Sequence, residues 1–429
     1  VTESFSVPYR DYRDIRRALL DRRETALVDV RAEALFAEGH PLFAVNMPLE
    51  RLVTEALSRI PRLGAPVTLY DNGGGLALAA ARRLTALGYR DVALLKDGLA
   101  GWKAAGGELF ADVNSPSKAF GELVEHHRRT PSMAAPALQR LLDERADLVV
   151  LDVRRFDEYH TMSIPGSISV PGAELVLRAG DMAPSPNTLI LVNCAGRTRS
   201  IIGTQSLINA GVPNPVAALR NGTIGWMLAG QRLEQHQSRR YGPASDAARR
   251  AAAAAARGVA QRAGAGEITA ADLRRWLARA DYTTYVFDVR SEEEYAAGHF
   301  PASRPAPGGQ LVQETDHYAA VRGARIVLVD DADLTRANMT ASWLAQMGWR
   351  VWVLDGSSGG DDAEYGAWVP PVPAPERGAG GLPSPRHDRY RRPYEGLDNS
   401  TQAMQAYLDW EAGLVAQLDK DGTHGFFVI

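Results

Sequence analysis

The sequence predicts an α/β protein of three tandem copies of one module, each a small, mainly parallel sheet with helices on both faces, plus a C-terminal helical tail. Three observations carry this prediction. An apolar strand running into Asp-Val-Arg occurs three times, from Ala26 to Arg31, Val149 to Arg154 and Tyr285 to Arg290. In each copy a second apolar strand ends at Asp71, Cys194 or Asp331, which lie 42, 42 and 43 residues after the Asp of the first signature. A helical stretch then closes at Gly88, Gly211 or Gly348, in every case 17 residues further on, where glycine is the expected helix stop. Agreement of this kind between distant segments is the mark of a repeated structural unit.

The elements follow in order. Residues 1–111 form the first module. Residues 112–131 join it to the second and include a helix from Ala119 to His127, whose His126-His127 pair reads as a solvated helix end. Residues 132–237 are the second module. The segment 238–263 is rich in Ala and Arg, almost pure helix formers between Ala247 and Gln261, and reads as a helical connector. Residues 264–369 are the third module, and 370–393 are a loop dense in Pro, Gly and Arg. The tail, 394–429, carries Met404, Tyr407, Leu408, Leu414, Val415 and Leu418 at helical spacing. It is expected to dock on a module or a neighbouring chain, with His424 in a structural role.

Composition excludes several classes. The length of 429 residues suits about three domains. A net charge of −3 argues against nucleic-acid or membrane-surface binding, and no apolar run is long enough to span a bilayer. The chain has one cysteine, so no intrachain disulfide or cysteine-based zinc site can form, and no metal or cofactor is expected. A lone thiol fits a cytoplasmic protein.

That cysteine is the centre of the functional reading. It lies in Leu191-Val192-Asn193-Cys194-Ala195-Gly196-Arg197-Thr198-Arg199-Ser200, after an apolar strand and before a predicted helix. Unpaired backbone N–H groups at a helix start favour a thiolate, and Arg197 and Arg199 add positive charge able to bind an anion. Packing as a small hydrophobe is the alternative, but such a cysteine needs no arginines beside it. Cysteine phosphatases need five residues between Cys and Arg to enclose a phosphate. Here Cys194 and Arg199 are separated by four, which also weighs against an arsenate reductase.

The segment resembles the active-site loop of rhodanese-type sulfurtransferases, Cys-x-x-Gly-x-Arg-Ser/Thr, except that Arg197 takes the usual glycine position and the glycine stands at Gly196. Each copy carries further signatures of that family. The third has Asp288-Val289-Arg290, Glu294-Tyr295 and Gly298-His299-Phe300-Pro301. The second has Asp152-Val153-Arg154, Glu158-Tyr159 and Ile164-Pro165-Gly166, and the first has Asp29-Val30-Arg31 and Gly39-His40-Pro41. A glycine followed four residues on by tryptophan recurs as Gly98…Trp102 and Gly222…Trp226, whereas Gly356 in the third copy lacks the tryptophan. The Asp-Val-Arg residues read as structural ties between loops. The module order also resembles larger sulfurtransferases of four such modules.

The resemblance implies a thiosulfate sulfurtransferase. Cys194 would take a sulfane sulfur from thiosulfate as a persulfide and pass it to cyanide or a thiol, a protein acceptor being a further option. Ala195, Gly196, Arg197, Thr198, Arg199 and Ser200 would bind substrate. Asp71 and Asp331 cannot form a persulfide, so modules one and three are expected to be inactive. Asp331-x-Asp333-x-Thr335 also matches a phosphatase nucleophile motif, but it falls at the loop position of the repeat. The second reading of the whole chain is a sulfur carrier or docking scaffold with little small-molecule turnover. Oligomeric state is not legible.

Overall fold

The computed structural model describes residues 5–355 and 389–429. The expected end of module three, with Gly356, and most of the 370–393 loop lie outside these residues. Among the described residues, fifteen strands form three sheets of five. Module one holds β1 (Tyr9–Arg10), β2 (Ala26–Asp29), β3 (Ala44–Asn46), β4 (Val67–Tyr70) and β5 (Val92–Leu95). Module two holds β6 (Ser132–Met133), β7 (Leu148–Asp152), β8 (Ile168–Ser169), β9 (Leu189–Asn193) and β10 (Val216–Leu219). Module three holds β11 (Gly266–Ile268), β12 (Thr284–Asp288), β13 (Arg304–Pro305), β14 (Arg325–Val329) and β15 (Arg350–Leu354).

All three sheets have the same order. It is β1-β5-β4-β2-β3 in the first, β6-β10-β9-β7-β8 in the second and β11-β15-β14-β12-β13 in the third. Neighbouring strands pair in parallel throughout, as in β7 with β9 and β9 with β10. Parallel strands need helical crossovers, which cover both faces and make the inner strands apolar along their length. The middle strand of each sheet, β4, β9 or β14, runs into Asp71, Cys194 or Asp330. The pairing of Asp29 with Tyr70, Asp152 with Asn193 and Asp288 with Val329 makes Asp330 the counterpart of Cys194. This corrects the sequence expectation of Asp331, because the loop of module three is one residue longer.

The copies share a core. Tyr285 and Phe287 of module three pack in one apolar cluster with Leu52, Ala56 and Ile60 of module one. The Tyr285 hydroxyl donates to the Arg59 carbonyl (2.7 Å), and the Arg59 guanidinium to the Asp316 carbonyl (2.9 Å). The helix between modules one and two is longer than expected, Ser115–Arg128, and is buried from Ser115 to Val124. It is a central strut: Phe120 meets Trp343 of module three and Phe426 of the tail edge to face. His126 and His127 are exposed at its end. The Ala/Arg connector forms a helix, Asp246–Arg262, capped by the Ser245 hydroxyl. Its Ala252, Ala256 and Val259 are buried in the core of module two.

The tail folds into helices Thr401–Ala412 and Leu414–Asp421. Met404, Tyr407, Leu408, Leu414 and Leu418 are all buried. The His424 ring accepts the Phe426 N–H (2.9 Å).

Arg336 clamps module three to module two. Its guanidinium, 1 % exposed, bonds Asp330 (2.9 Å), Asp331 (3.0 Å) and Glu294 (2.7 Å) of its own module and Glu174 (2.9 Å) of module two. Removing one member of a buried ionic network strands the rest, at a cost of about 3–5 kcal/mol. Arg336→Met is therefore expected to lower the thermal midpoint by several degrees, read by calorimetry, whereas Arg275→Met on the exposed face leaves it unchanged.

Candidate active site

The site is built on Asp152 at the end of β7. Its carboxylate accepts the Arg154 backbone N–H (3.1 Å) and side-chain Nε (2.9 Å) and Nη2 (2.8 Å). It also accepts Nδ2 of Asn193 at 2.7 Å, fixing the residue before Cys194. Arg154 reaches on to the Met162 carbonyl (2.6 Å). Asp29–Arg31 and Asp288–Arg290 repeat this pair, with Gly39 and Gly298 as carbonyl partners. The Asp-Val-Arg signature is thus a structural tie in all three modules.

Cys194 follows β9 and precedes the helix Thr198–Asn209. The loop is pinned from the far side: the Cys194 carbonyl accepts the Thr223 N–H (3.0 Å) and the Ala195 carbonyl the Ile224 N–H (3.0 Å). A Cβ on Gly222 (φ +54°) would lie 2.3 Å from the Cys194 carbonyl oxygen, so this approach requires glycine. Trp226, fully buried, anchors the helix Gly222–Leu228 through Nε1 to the Arg232 carbonyl (2.8 Å). That contact gives the Gly…Trp signature its physical meaning.

The thiol is 1 % exposed and donates to the Ser200 hydroxyl at 3.4 Å, and that hydroxyl donates to the Arg197 carbonyl (2.9 Å). Burial is the largest influence on its ionisation and pushes the Cys194 pKa up, with the Glu411 carboxylate adding to the rise. Arg199 and Ser200 pull the other way without reversing it. The sequence expectation of a thiolate favoured by the loop is corrected for this closed state: desolvation outweighs the positive groups.

The two arginines diverge. Arg199 forms a two-pronged pair with Glu158 (2.7 and 2.8 Å). Burial opposes the ionised form of Glu158, yet Arg199, with Arg154 and Arg155, overcomes it and holds the carboxyl at about 2. Arg336 and Glu294 repeat this pair in module three. Arg197 points to the linker helix, where it bonds Glu122 (2.7 and 2.8 Å) and Glu125, and it reaches Asn221 (3.3 Å). Thr198 is buried beside Gly121, where a Cβ would come within 2.8 Å of its methyl group. The loop therefore brings Cys194, Arg199 and Ser200 together, while Arg197 faces the linker.

The tail covers this loop. Tyr394, Met404, Tyr407 and Leu408 pack with Ala195 and Ile224. A Cβ on Gly196 would lie 3.2 Å from the Tyr407 ring and 3.4 Å from Oε2 of Glu411. Glu411 is fully buried, and its Oε1 accepts the Tyr407 hydroxyl (2.7 Å). Lys118 lies against the rings of Tyr394, Tyr407 and Trp410 and pairs with Asp112 (2.9 Å). Sequence reasoning saw the apolar face of this tail but missed Glu411. The available signal was an acidic residue four positions after Tyr407, on the face assigned to packing.

The other two loops hold carboxylates that their surroundings satisfy. Asp71 accepts the N–H groups of Gly73 (2.7 Å) and Ala77 (3.0 Å). In module three Asp330, which stands in the place of the thiol, accepts the Ala337 N–H (2.9 Å) and Arg336 Nε (2.9 Å). Its neighbour Asp331 pairs with Arg336 (3.0 Å) and with Arg249 of the connector (3.2 Å), so the acidic loop is countered by arginines. Among the described residues, no group of three or more His, Cys, Asp or Glu is arranged to hold a metal ion.

The model of the rhodanese-like domain matches residues 14–105, 134–229 and 269–360. The chain belongs to the rhodanese-like family. It is similar over its whole length to the crystal structure of thiosulfate sulfurtransferase from Pseudomonas aeruginosa, at 54 % identity and a TM-score of 0.92, covering 99 % of this chain and 100 % of that one. It is also 27 % identical over 122 residues to the "Putative sulfur carrier protein YrkF" of Bacillus subtilis (strain 168); the match spans 25 % of this chain and 65 % of that protein.

The tail cover has a pH signature. Burial, reinforced by Glu122, raises Glu411 to about 8, against the pull of Lys118, Arg197 and the Tyr407 hydroxyl. A carboxyl raised on folding stabilises the fold most below its unfolded value, near 4.5, and this contribution is lost as pH rises through about 8. Glu411→Gln, which stays neutral, is expected to lower the thermal midpoint less between pH 6 and pH 9 than the parent does. Equal losses in both proteins would show that Glu411 does not carry the effect.

Proposed function

We propose that the chain is a thiosulfate sulfurtransferase that carries sulfane sulfur as a persulfide on Cys194. The observation that supports this best is that one of three equivalent loops holds a thiol, beside Arg199 and at the carboxyl end of a central parallel strand, where open α/β sheets place ligands. The likeness to the Pseudomonas aeruginosa enzyme supports the same reading.

The chemistry divides into two transfers. Donor binding displaces the balance that keeps Cys194 protonated, and the thiolate attacks the outer sulfur of thiosulfate. The S–S bond of the donor breaks and sulfite leaves with the electron pair. Backbone N–H groups from Ala195 to Ser200 form an anion-holding nest for the persulfide. Cyanide or a thiol then attacks the outer sulfur, and Cys194 leaves as thiolate. Arg199 supplies the field that favours the thiolate. We assign Arg197 to holding the loop on the linker helix, because its guanidinium is engaged by Glu122 and Glu125. Modules one and three take no sulfur. The lone thiol is consistent with a reducing compartment, and we place the protein in the cytoplasm. Among the described residues, no helix is long and apolar enough to cross a membrane.

A carrier reading, with sulfur passed to one dedicated protein, is favoured by the 1 % exposure of the thiol under the tail. Kinetics separate the two. Initial rates against thiosulfate at several cyanide concentrations are expected to give the parallel lines of a ping-pong scheme, and Cys194→Ser to lower turnover at least a thousandfold. Asp71→Ala is expected to keep more than half the parent rate. Absence of turnover in the parent with cyanide would favour the carrier.

A further inference from the structure

A basic hollow of about 200 Å³ lies where modules one and three meet the tail. It is lined by Arg22 and Arg23 of module one, Arg322 and Arg350 of module three, and Thr423 and His424 of the tail. No aspartate or glutamate takes part in the lining. The acids of the flanking segments are engaged: Glu24 pairs with Arg62 and accepts the Thr283 N–H, and Asp421 accepts the Thr423 N–H (3.0 Å). Of the four arginines, Arg23 pairs with Asp21 (3.3 Å) and Arg350 donates to the Tyr282 hydroxyl (3.0 Å). Among the described residues, no carboxylate pairs with Arg22 or Arg322.

Arg322 is the centre of the cluster. Its backbone exchanges two hydrogen bonds with Thr25 of module one (2.9 and 3.0 Å), which fix its position. Its guanidinium lies between the rings of Phe43 (4.0 Å) and Trp349 (4.3 Å) and donates to the Met347 carbonyl (3.2 Å). A guanidinium carries five N–H donors, so most of this one's capacity is unspent. Burial, with the like charge of Arg22 adding, pulls its pKa down to about 9. Arg22 converges on the same place. Its Nη2 lies 4.0 Å from where a Cβ on Gly425 would stand, and Nη2 of Arg322 lies 3.2 Å from the same point on Gly348, which is 3.4 Å from the Gly425 carbonyl. His424 Nδ1 accepts the Phe426 N–H, so the ring proton sits on Nε2. Burial holds that ring neutral, against the pull of Asp421 and Asp419.

We propose that this hollow binds a small dianionic oxyanion of the sulfate, phosphate or sulfite type, held between the guanidiniums of Arg322 and Arg22. Cations withdrawn from water call for a counter-charge, and two of them facing each other call for two negative charges. Planar guanidinium forks match pairs of oxygens on such an ion, and the hollow has room for one with waters around it. The ion would join the tail to modules one and three. That same tail lies on the catalytic loop through Tyr407 and Glu411, so the site also ties down the cover of the thiol. This holds whether or not the chain transfers sulfur.

The test titrates the full chain with sodium sulfate, phosphate or sulfite, each against chloride at matched ionic strength. Thermal midpoints and calorimetric affinities are compared between the parent and Arg322→Met, Arg22→Met and Arg199→Met. The oxyanions are expected to raise the parent midpoint by several degrees, and Arg322→Met to weaken their binding at least tenfold. In chloride Arg322→Met is expected to melt no lower than the parent, because it removes an unpaired cation. Arg22→Met changes an exposed side chain and is expected to weaken binding at least threefold without altering the fold. Arg199→Met, in the catalytic loop, is expected to keep both the gain and the affinity. Hydrogen exchange in residues 414–425 is expected to slow with the ion in the parent and not in Arg322→Met. Sulfite bound more tightly than phosphate would name the product of the proposed donor step as the ligand, and the reverse a cellular phosphate; either order supports the site. A gain that survives in Arg322→Met, a gain lost in Arg199→Met alone, or no gain in the parent would overturn the inference.

Discussion

The carboxylate of Asp152 is the constraint on which the catalytic module depends. It is fully buried, which is tolerable only because Arg154 neutralises it through two side-chain N–H groups. Its remaining capacity goes to Asn193, one residue before the thiol. A single buried ion pair thus ties the end of β7 to the end of β9 and, through Met162, to the loop between β7 and β8. Module three keeps the pair but has Val329 in the place of Asn193 and Asp330 in the place of Cys194, and there Arg336 supplies the countercharge that a second carboxylate demands.

From this scaffold the three loops diverge without disturbing the sheets. The first satisfies Asp71 with its own backbone N–H groups, the third satisfies Asp330 with Arg336 and the Ala337 N–H, and the second holds a neutral thiol under an apolar cover. Each answer obeys the same rule, that buried polar groups find partners or lose their charge. The cover also gives the tail a role beyond packing. Tyr407 and Glu411 sit directly on Gly196, so access to the thiol and docking of the tail are coupled.

Local and periodic features were readable from the residues alone. Repeat offsets, the loop around Cys194 and the apolar stripe of the tail all reflect rules acting within one segment. The close approach at Gly222 was visible as a motif, although its partner, the Cys194 carbonyl, was not. Long-range partners were out of reach. Nothing near Arg197 in sequence announces Glu122 and Glu125, which lie some seventy residues away on a helix that read as a simple linker. The rise in the Cys194 pKa comes from burial, with Glu411, more than two hundred residues downstream, adding to it, and local charge pointed the other way. Glu411 was hidden because the tail read only as a hydrophobic face.

The central claim is that sulfur passes through a covalent intermediate on Cys194. Intact-mass spectrometry of the full chain, after thiosulfate and again after cyanide, tests it most directly. The account predicts a gain of one sulfur atom, mapped to the peptide containing Cys194 and removed by cyanide. No gain with thiosulfate would contradict it.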